Sequence, residues 1–247
     1  GKPCFVNLWP DDVHTPWVGN EEQMNLLPEG STSMLNFMTV LAEYDRQIGL
    51  LLQQLNKEGL DKNTIVIFSS DNGPGPSLNH IRTNGLRGCK SSLFEGGIRM
   101  PFIIWNGGNL IPKGKIDSTT VLTTVDMLPS LCQLIKVSVP ASVNSDGEDM
   151  SKALLGIPQK RNKEIYWEYG RKKDPAFPLP KGWDESPNIC VRQGDWKLLI
   201  NNNGSRLILF NLKIDPYETE NLAKRYPEIA DSLKTKALTW RRSLPKL

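Results

Sequence analysis

The feature that most limits the fold of this 247-residue chain is a long helical stripe that runs almost directly into a short apolar block. Between Met34 and Asn56 the residues Leu35, Met38, Leu41, Ala42, Ile48, Leu51, Leu52 and Leu55 recur at three- and four-residue steps, and Gly59 follows as a C-terminal stop. Ile65-Val66-Ile67-Phe68 comes next, a continuous apolar run rich in β-branched residues, as in a parallel strand buried on both faces. A helix with one apolar stripe beside such a strand requires layered α/β packing. Asp45 lies on the same stripe and is read as a partnered, structural carboxylate in preference to a wetted one. The strand runs out into Ser69-Ser70-Asp71-Asn72-Gly73. Ligands in open α/β sheets gather at the carboxyl ends of strands, so Asp71 and Asn72 stand where functional groups belong.

The rest of the chain supplies further elements. Residues 4–9 read as a strand, followed by a polar loop carrying Asp11, Asp12, His14 and Pro16. Phe102–Trp105 is a second buried strand, and Val121–Ile135 is helical with Asp126 and Pro129 near its start. Ser, Pro, Gly and Lys then dominate, and residues 141–163 read as a linker. Beyond it, Glu164–Tyr169, Asn188–Arg192, Trp196–Ile200 and Arg206–Leu212 are short strand candidates separated by turn signals. Tyr226–Ser243 places Ile229, Leu233, Ala237 and Trp240 on one helical face. The expected organisation is α/β: residues 1–140 as part of a larger core, the linker, and residues 164–247 as a small antiparallel sheet with one covering helix.

Composition removes several classes. Hydrophobic residues at 38% and charged residues at 23% are globular values, so disorder is not the main state. Thirty Lys and Arg against 27 Asp and Glu leave +3, which does not point to a nucleic-acid partner. Apolar runs of four or five residues fall far short of the roughly 20 that a membrane span needs. Cys4, Cys89, Cys132 and Cys190 are widely separated with no C-x-x-C pair, which fits neither a zinc ribbon nor a disulfide scaffold. A chain that enters a strand by its fourth residue is expected to be a fragment or a processed product.

Asp71 and Asn72 offer one charged and one neutral oxygen, a set that suits Ca²⁺ or Mg²⁺, although Asp-Asn-Gly is equally a turn former. The decisive segment is Gly85-Leu86-Arg87-Gly88-Cys89-Lys90-Ser91-Ser92-Leu93-Phe94-Glu95-Gly96-Gly97-Ile98-Arg99-Met100-Pro101. It resembles the second signature of the sulfatases, G-x-x-G-x-K-x-x-x-x-E-G-G-x-R-x-P. The His14-Thr15-Pro16 opening, Tyr44–Gly49, Asp126–Pro129, Gly194–Leu198 and Leu209–Leu212 with Asp215-Pro216 resemble the same family in the same order. The likeness covers essentially the whole chain and corresponds to the second half of a sulfatase.

This resemblance implies the C-terminal portion of an alkaline-phosphatase-like sulfatase core that hydrolyses sulfate esters. It implies Asp71 and Asn72 as metal ligands for Ca²⁺ (or Mg²⁺), Lys90 as a sulfate-binding cation, and His14 as a sulfate contact or the acid that protonates the leaving alcohol. Asn79 and His80 are candidate substrate contacts, while Arg87, Glu95 and Arg99 are read first as scaffold. The family's formylglycine is made from Cys or Ser within C/S-x-P/A-x-R, and no such motif occurs in this sequence. The nucleophile, an Asp-Asp metal pair and a Lys-x-His are therefore expected from an N-terminal half, the implied partner. An extracytoplasmic location goes with the resemblance. Sulfated carbohydrate is the suggested substrate, because Arg171, Lys172, Lys173 and Trp183 combine cations with an aromatic ring. The alternatives are a non-catalytic module of the same fold and a related phosphoesterase, the latter disfavoured because the chain has only two histidines.

Overall fold

A computed structural model describes residues 3–78, 81–170 and 180–245. The chain divides into two compact units, residues 1–66 with 104–114 and residues 67–103 with 115–247.

In the first unit a one-turn helix, α1 (Glu21–Met24), is capped by Asn20, whose side chain accepts from the amides of Glu22 and Gln23. The long stripe forms α2 (Thr32–Lys57), which begins at a Ser31 cap and stops before Gly59, whose φ of +68° suits glycine. Only Thr39 of α2 is buried, and Asp45 is exposed, so the expectation of a partnered carboxylate there is corrected. Spacing announces an apolar face but not what covers it; among the described elements α2 packs on α1 and the turn Asp61–Asn63. Residues 4–9 likewise form no strand. They find no ladder partner among the described residues, and Phe5 and Trp9 are 74% and 87% exposed. Residues 104–114 are tied to the end of α2 by Asn106, whose side-chain amide donates to the carbonyls of Asp61, Lys62 and Thr64.

The division between the units falls within β1 (Val66–Ser69) and β2 (Phe102–Trp105), which pair as a two-stranded sheet. Both strands were expected to be buried, yet Val66–Phe68 are half-buried and Ile103 is exposed, since a sheet of two strands has little to cover its faces.

The second unit holds the single turn α3 (Glu95–Ile98), then α4 (Met127–Leu134), whose approach is fixed by a capping box between Thr123 and Asp126. Residues 141–163, expected as a linker, instead pack. They contain α5 (Ser151–Leu154), which lies on α4, and Met150 and Leu154 are fully buried. The cause is a buried polar network that composition does not reveal. Asp126 accepts from the Glu148 amide at 2.9 Å and from Arg161 at 2.5 Å, and the Glu148 carboxylate accepts from the amides of Asn162 and Lys163.

The C-terminal expectation is met almost residue for residue. β3 (Ile165–Glu168), β4 (Ile189–Gln193), β5 (Trp196–Ile200) and β6 (Ile208–Asn211) form an antiparallel sheet in that order, with Cys190 opposite Leu199 and Leu198 opposite Leu209. The helix α6 (Pro227–Ser243) covers one face through Leu233 and Ala237 against Ile189, Val191, Leu198 and Leu209. Alternation sends Cys190, Leu199 and Phe210 to the other face, where Leu93 and Phe94 meet them. Both faces are therefore covered, and the second cover is the segment that carries the signature. The α/β class stands.

If residues 141–163 are packed structure, Met150→Ala will lower unfolding stability by about 2–5 kcal/mol in urea titration. A tether would lose no more than about 0.5 kcal/mol, as surface changes do.

Candidate active site

Two backbone hydrogen bonds bring the sequence-predicted residues of the second unit together. The amide of Gly73 donates to the carbonyl of Gly97 at 2.9 Å, and that of Lys90 donates to the carbonyl of Pro74 at 2.7 Å. The end of β1, with Asp71 and Asn72, is thereby held against the signature segment on both sides of its turn. Glycine is required at this contact: a Cβ on Gly73 would lie 2.0 Å from the Gly96 carbonyl oxygen, and one on Gly97 would lie 2.1 Å from that of Ser92.

Asp71 is exposed and Asn72 half-buried. Asp71 Oδ1 accepts from the Asn72 amide at 2.8 Å, and Asn72 Nδ2 donates to the Gly73 carbonyl at 2.9 Å. Turning the Asn72 nitrogen back to the chain points its side-chain oxygen the other way. One carboxylate and one amide oxygen thus stand at the strand end, the hard donors that Ca²⁺ or Mg²⁺ takes. The residues fit such a cation as part of a set, since Ca²⁺ takes six to eight oxygens. Among the described residues there is no group of three or more His, Cys, Asp or Glu able to hold a metal.

The signature segment is anchored by the C-terminal sheet region. Arg87 is sandwiched between the Phe94 and Trp183 rings, 3.7 Å from each centroid, and donates to the carbonyls of Trp183 and Glu218. The Gly88 amide donates to Asp184, the Leu93 amide to Ser186, and the Tyr169 hydroxyl to Ser91. Arg87 is scaffold, as expected. Glu95 is also internal, but its partner is Lys197 at 2.8 Å, while Arg99 is exposed. Lys197 and Glu218 were absent from the sequence-level site. The pairing of Lys197 with Glu95 joins positions 102 residues apart, and only the Gly194–Leu198 block hinted at it.

Lys197, Glu95 and Glu218 share one charge cluster. Burial opposes the Lys197 ammonium, but the two carboxylates overcome it and hold its pKa above the ordinary lysine value. Burial pushes both carboxyls up; beside Lys197 this is reversed for Glu95, which sits below the usual carboxylate range, whereas Glu218 remains above it.

His14 belongs to the first unit, in an exposed turn, with Nδ1 2.8 Å from the Thr15 carbonyl oxygen. Asn79 and His80 lie outside the described residues, as do Arg171, Lys172 and Lys173.

The sulfatase family model matches residues 1–137, more than half of the sequence, so this chain belongs to the sulfatase family. It is 27% identical to an N-acetylgalactosamine-6-O-sulfatase of Bacteroides thetaiotaomicron, over 94% of this chain and 46% of that protein. Against human arylsulfatase A the identity is 28%, over 94% of this chain and 48% of the relative. The crystal structure of Ps i-CgsB matches with a TM-score of 0.72 at 25% identity, covering 88% of this chain and 45% of that one. The chain spans about half the length of the curated relatives it matches, and the matched part is their C-terminal half.

Two of the four cysteines are shut off from nucleophilic work. Cys89 and Cys190 are buried, and desolvation pushes their thiols up to about 11 and about 12, so both stay protonated near neutrality. Cys4 is exposed. An iodoacetamide pulse at pH 8, read by mass spectrometry, will label Cys4 in the folded chain and leave Cys89 and Cys190 unmodified until urea unfolds it. Labelling of Cys190 at the rate of Cys4 would contradict the packing of Phe210, Leu199 and Cys190 beneath the signature segment.

Proposed function

We propose that this chain supplies one side of the active site of a sulfuric ester hydrolase. The observation that carries the reading is the pair of backbone hydrogen bonds, Gly73 to Gly97 and Lys90 to Pro74, which joins the Asp71-Asn72 oxygens to the lysine of the signature. Asp71 and Asn72 hold part of the shell of a divalent cation, Ca²⁺ or Mg²⁺, whose chemistry is to polarise a sulfate oxygen. Lys90 binds the sulfate, and its fixed positive charge meets charge that develops as the S–O bond breaks. His14 gives a proton to the departing alcohol oxygen. The remaining ligands and the formylglycine nucleophile come from an N-terminal half, because no C/S-x-P/A-x-R motif occurs among these 247 residues.

Substrates are sulfate esters of carbohydrate. The N-acetylgalactosamine-6-O-sulfatase relative supports this, as does the structure of Ps i-CgsB bound to k-i-k-neocarrahexaose, which matches over 88% of this chain at 25% identity. Trp183 is half exposed beside Arg87 and offers an aromatic face on which a sugar ring stacks. Among the described residues no helix is long and apolar enough to cross a membrane, and an extracytoplasmic site of action follows the family resemblance.

In the full-length enzyme Lys90→Ala will lower kcat by about 100-fold or more while KM changes little, the pattern expected when an interaction strengthens in the transition state. Raised KM with normal kcat would reduce Lys90 to simple substrate binding. His14→Ala will slow esters of sugar alcohols far more than aryl sulfates, whose leaving groups need no proton. Equal losses on both would remove the acid role.

A further inference from the structure

The face of the four-stranded sheet opposite α6 carries two cations among its apolar side chains, Lys197 and, directly opposite it on β4, the half-buried Arg192. Lys197 on β5 shares the side of Leu199 by strand alternation, and its side chain is completely buried. Its Nζ lies 2.8 Å from Glu95 Oε1 and 2.9 Å from Glu218 Oε1. Glu218 Oε2 accepts the backbone amide of Glu95 at 2.6 Å, which closes a ring of one ammonium, two carboxylates and one amide. Cys190, Leu199, Phe94 and Phe210 form the apolar cluster on this face.

Stability alone does not account for such a group. A buried ion pair or triad is commonly no more stable than well-packed apolar side chains of similar volume, because desolvation cancels the attraction. The ring does fix direction, and what it fixes is specific. Glu95 immediately precedes Gly96-Gly97, and Gly97 receives the Gly73 amide next to Asn72. From the other carboxylate, the Glu218 carbonyl accepts Arg87 Nη1 at 3.0 Å, and Arg87 stands three residues before Lys90. Two short routes therefore leave the ring, one ending at the strand-end oxygens and the other at the sulfate lysine.

We propose that Lys197 is a positioning residue for the sulfate site: through Glu95 and Glu218 it sets the placement of Lys90 relative to Asp71 and Asn72 without touching substrate. The assignment rests on the sulfatase reading of Lys90 given above. The C-terminal sheet is then a mould for the signature segment in addition to a folding element.

Two measurements test this. In the full-length enzyme, Lys197→Met will lower kcat on an aryl sulfate by on the order of 10- to 100-fold with little change in KM, as small misplacements of catalytic groups do. In a Lys90→Ala background the same substitution will cost less than about twofold, since residues that act through one another are not additive. Glu218→Gln keeps the acceptor for the Glu95 amide but removes the charge facing Lys197, and it will show the same non-additivity; it carries the comparison if Lys197→Met does not fold. In the 247-residue chain, amide exchange followed by NMR will quicken at Gly73 and Lys90 in either variant, while Val191 and Leu198 in the sheet stay protected. Losses that multiply in the double variants, or unchanged exchange at Gly73 and Lys90, overturn the proposal. Normal turnover in Lys90→Ala alone overturns the sulfatase assignment of Lys90 beneath it, whereas a Lys90→Ala loss with additive Lys197→Met losses overturns only the positioning role.

Discussion

The amide of Gly73 reaches the carbonyl of Gly97 at 2.9 Å because neither residue carries a side chain, and a Cβ at Gly73, Gly96 or Gly97 would strike a backbone oxygen at 2.0–2.3 Å. Everything proposed for the site depends on that approach. It lets a strand end and a turn 24 positions later meet, so that two oxygens and an ammonium-bearing loop are joined through backbone hydrogen bonds. Side chains larger than hydrogen would separate the two segments by more than a hydrogen bond can span. The glycines of the E-G-G motif are thus a packing requirement first, and the polar residues beside them inherit its precision.

Around this contact, polar and apolar forces divide the labour. Leu93 and Phe94 enter the core with Cys190, Leu199 and Phe210, which supplies non-directional burial. Asp184, Ser186, Glu218 and Lys197 supply direction, each through a hydrogen bond to the signature segment, and Arg87 within it donates to the carbonyls of Trp183 and Glu218. Burial alone tolerates small slides of one surface over another. Hydrogen bonds in a low-dielectric interior do not, because a misaligned donor there loses most of its partner and regains no water.

What the sequence disclosed follows from which forces are local. β3 to β6 and α6 were legible to within a residue or two, since alternation and a 3.6-residue stripe are written along the segment that folds. The 4–9 strand and the buried role of Asp45 failed for the converse reason. An apolar pattern states that a face is suited to burial, but the cover must come from elsewhere, and the described residues provide none for Phe5 or Trp9. The 141–163 segment hid its packing because Asp126, Glu148 and Arg161 do the work there, and polar composition imitates a linker. At the proposed site, Asp71, Asn72 and Lys90 were picked out by the family resemblance, whereas Lys197 and Glu218 escaped it because a lone Lys in a strand and a lone Glu in a turn carry no local sign of one another.

The two carboxylates of the buried ring also show why one cation serves them unequally. Burial raises both carboxyls; Lys197, with Arg192 and Arg99, carries Glu95 below its ordinary range, whereas Glu218, raised also by the Glu95 charge, stays above it. The Glu95 contribution to stability is complete above the unfolded carboxyl pKa and is lost as pH falls through its depressed folded value; that of Glu218 has the opposite sign, a penalty for ionisation that disappears as pH falls below its raised value. The two terms act in separate windows, Glu95 below the unfolded carboxyl pKa and Glu218 above it, so the ring favours the fold most near that pKa and less on either side. For the role proposed for Lys90, orientation matters more than stability, because the position of the lysine, and not its adherence to the sheet, decides whether its charge meets the breaking bond.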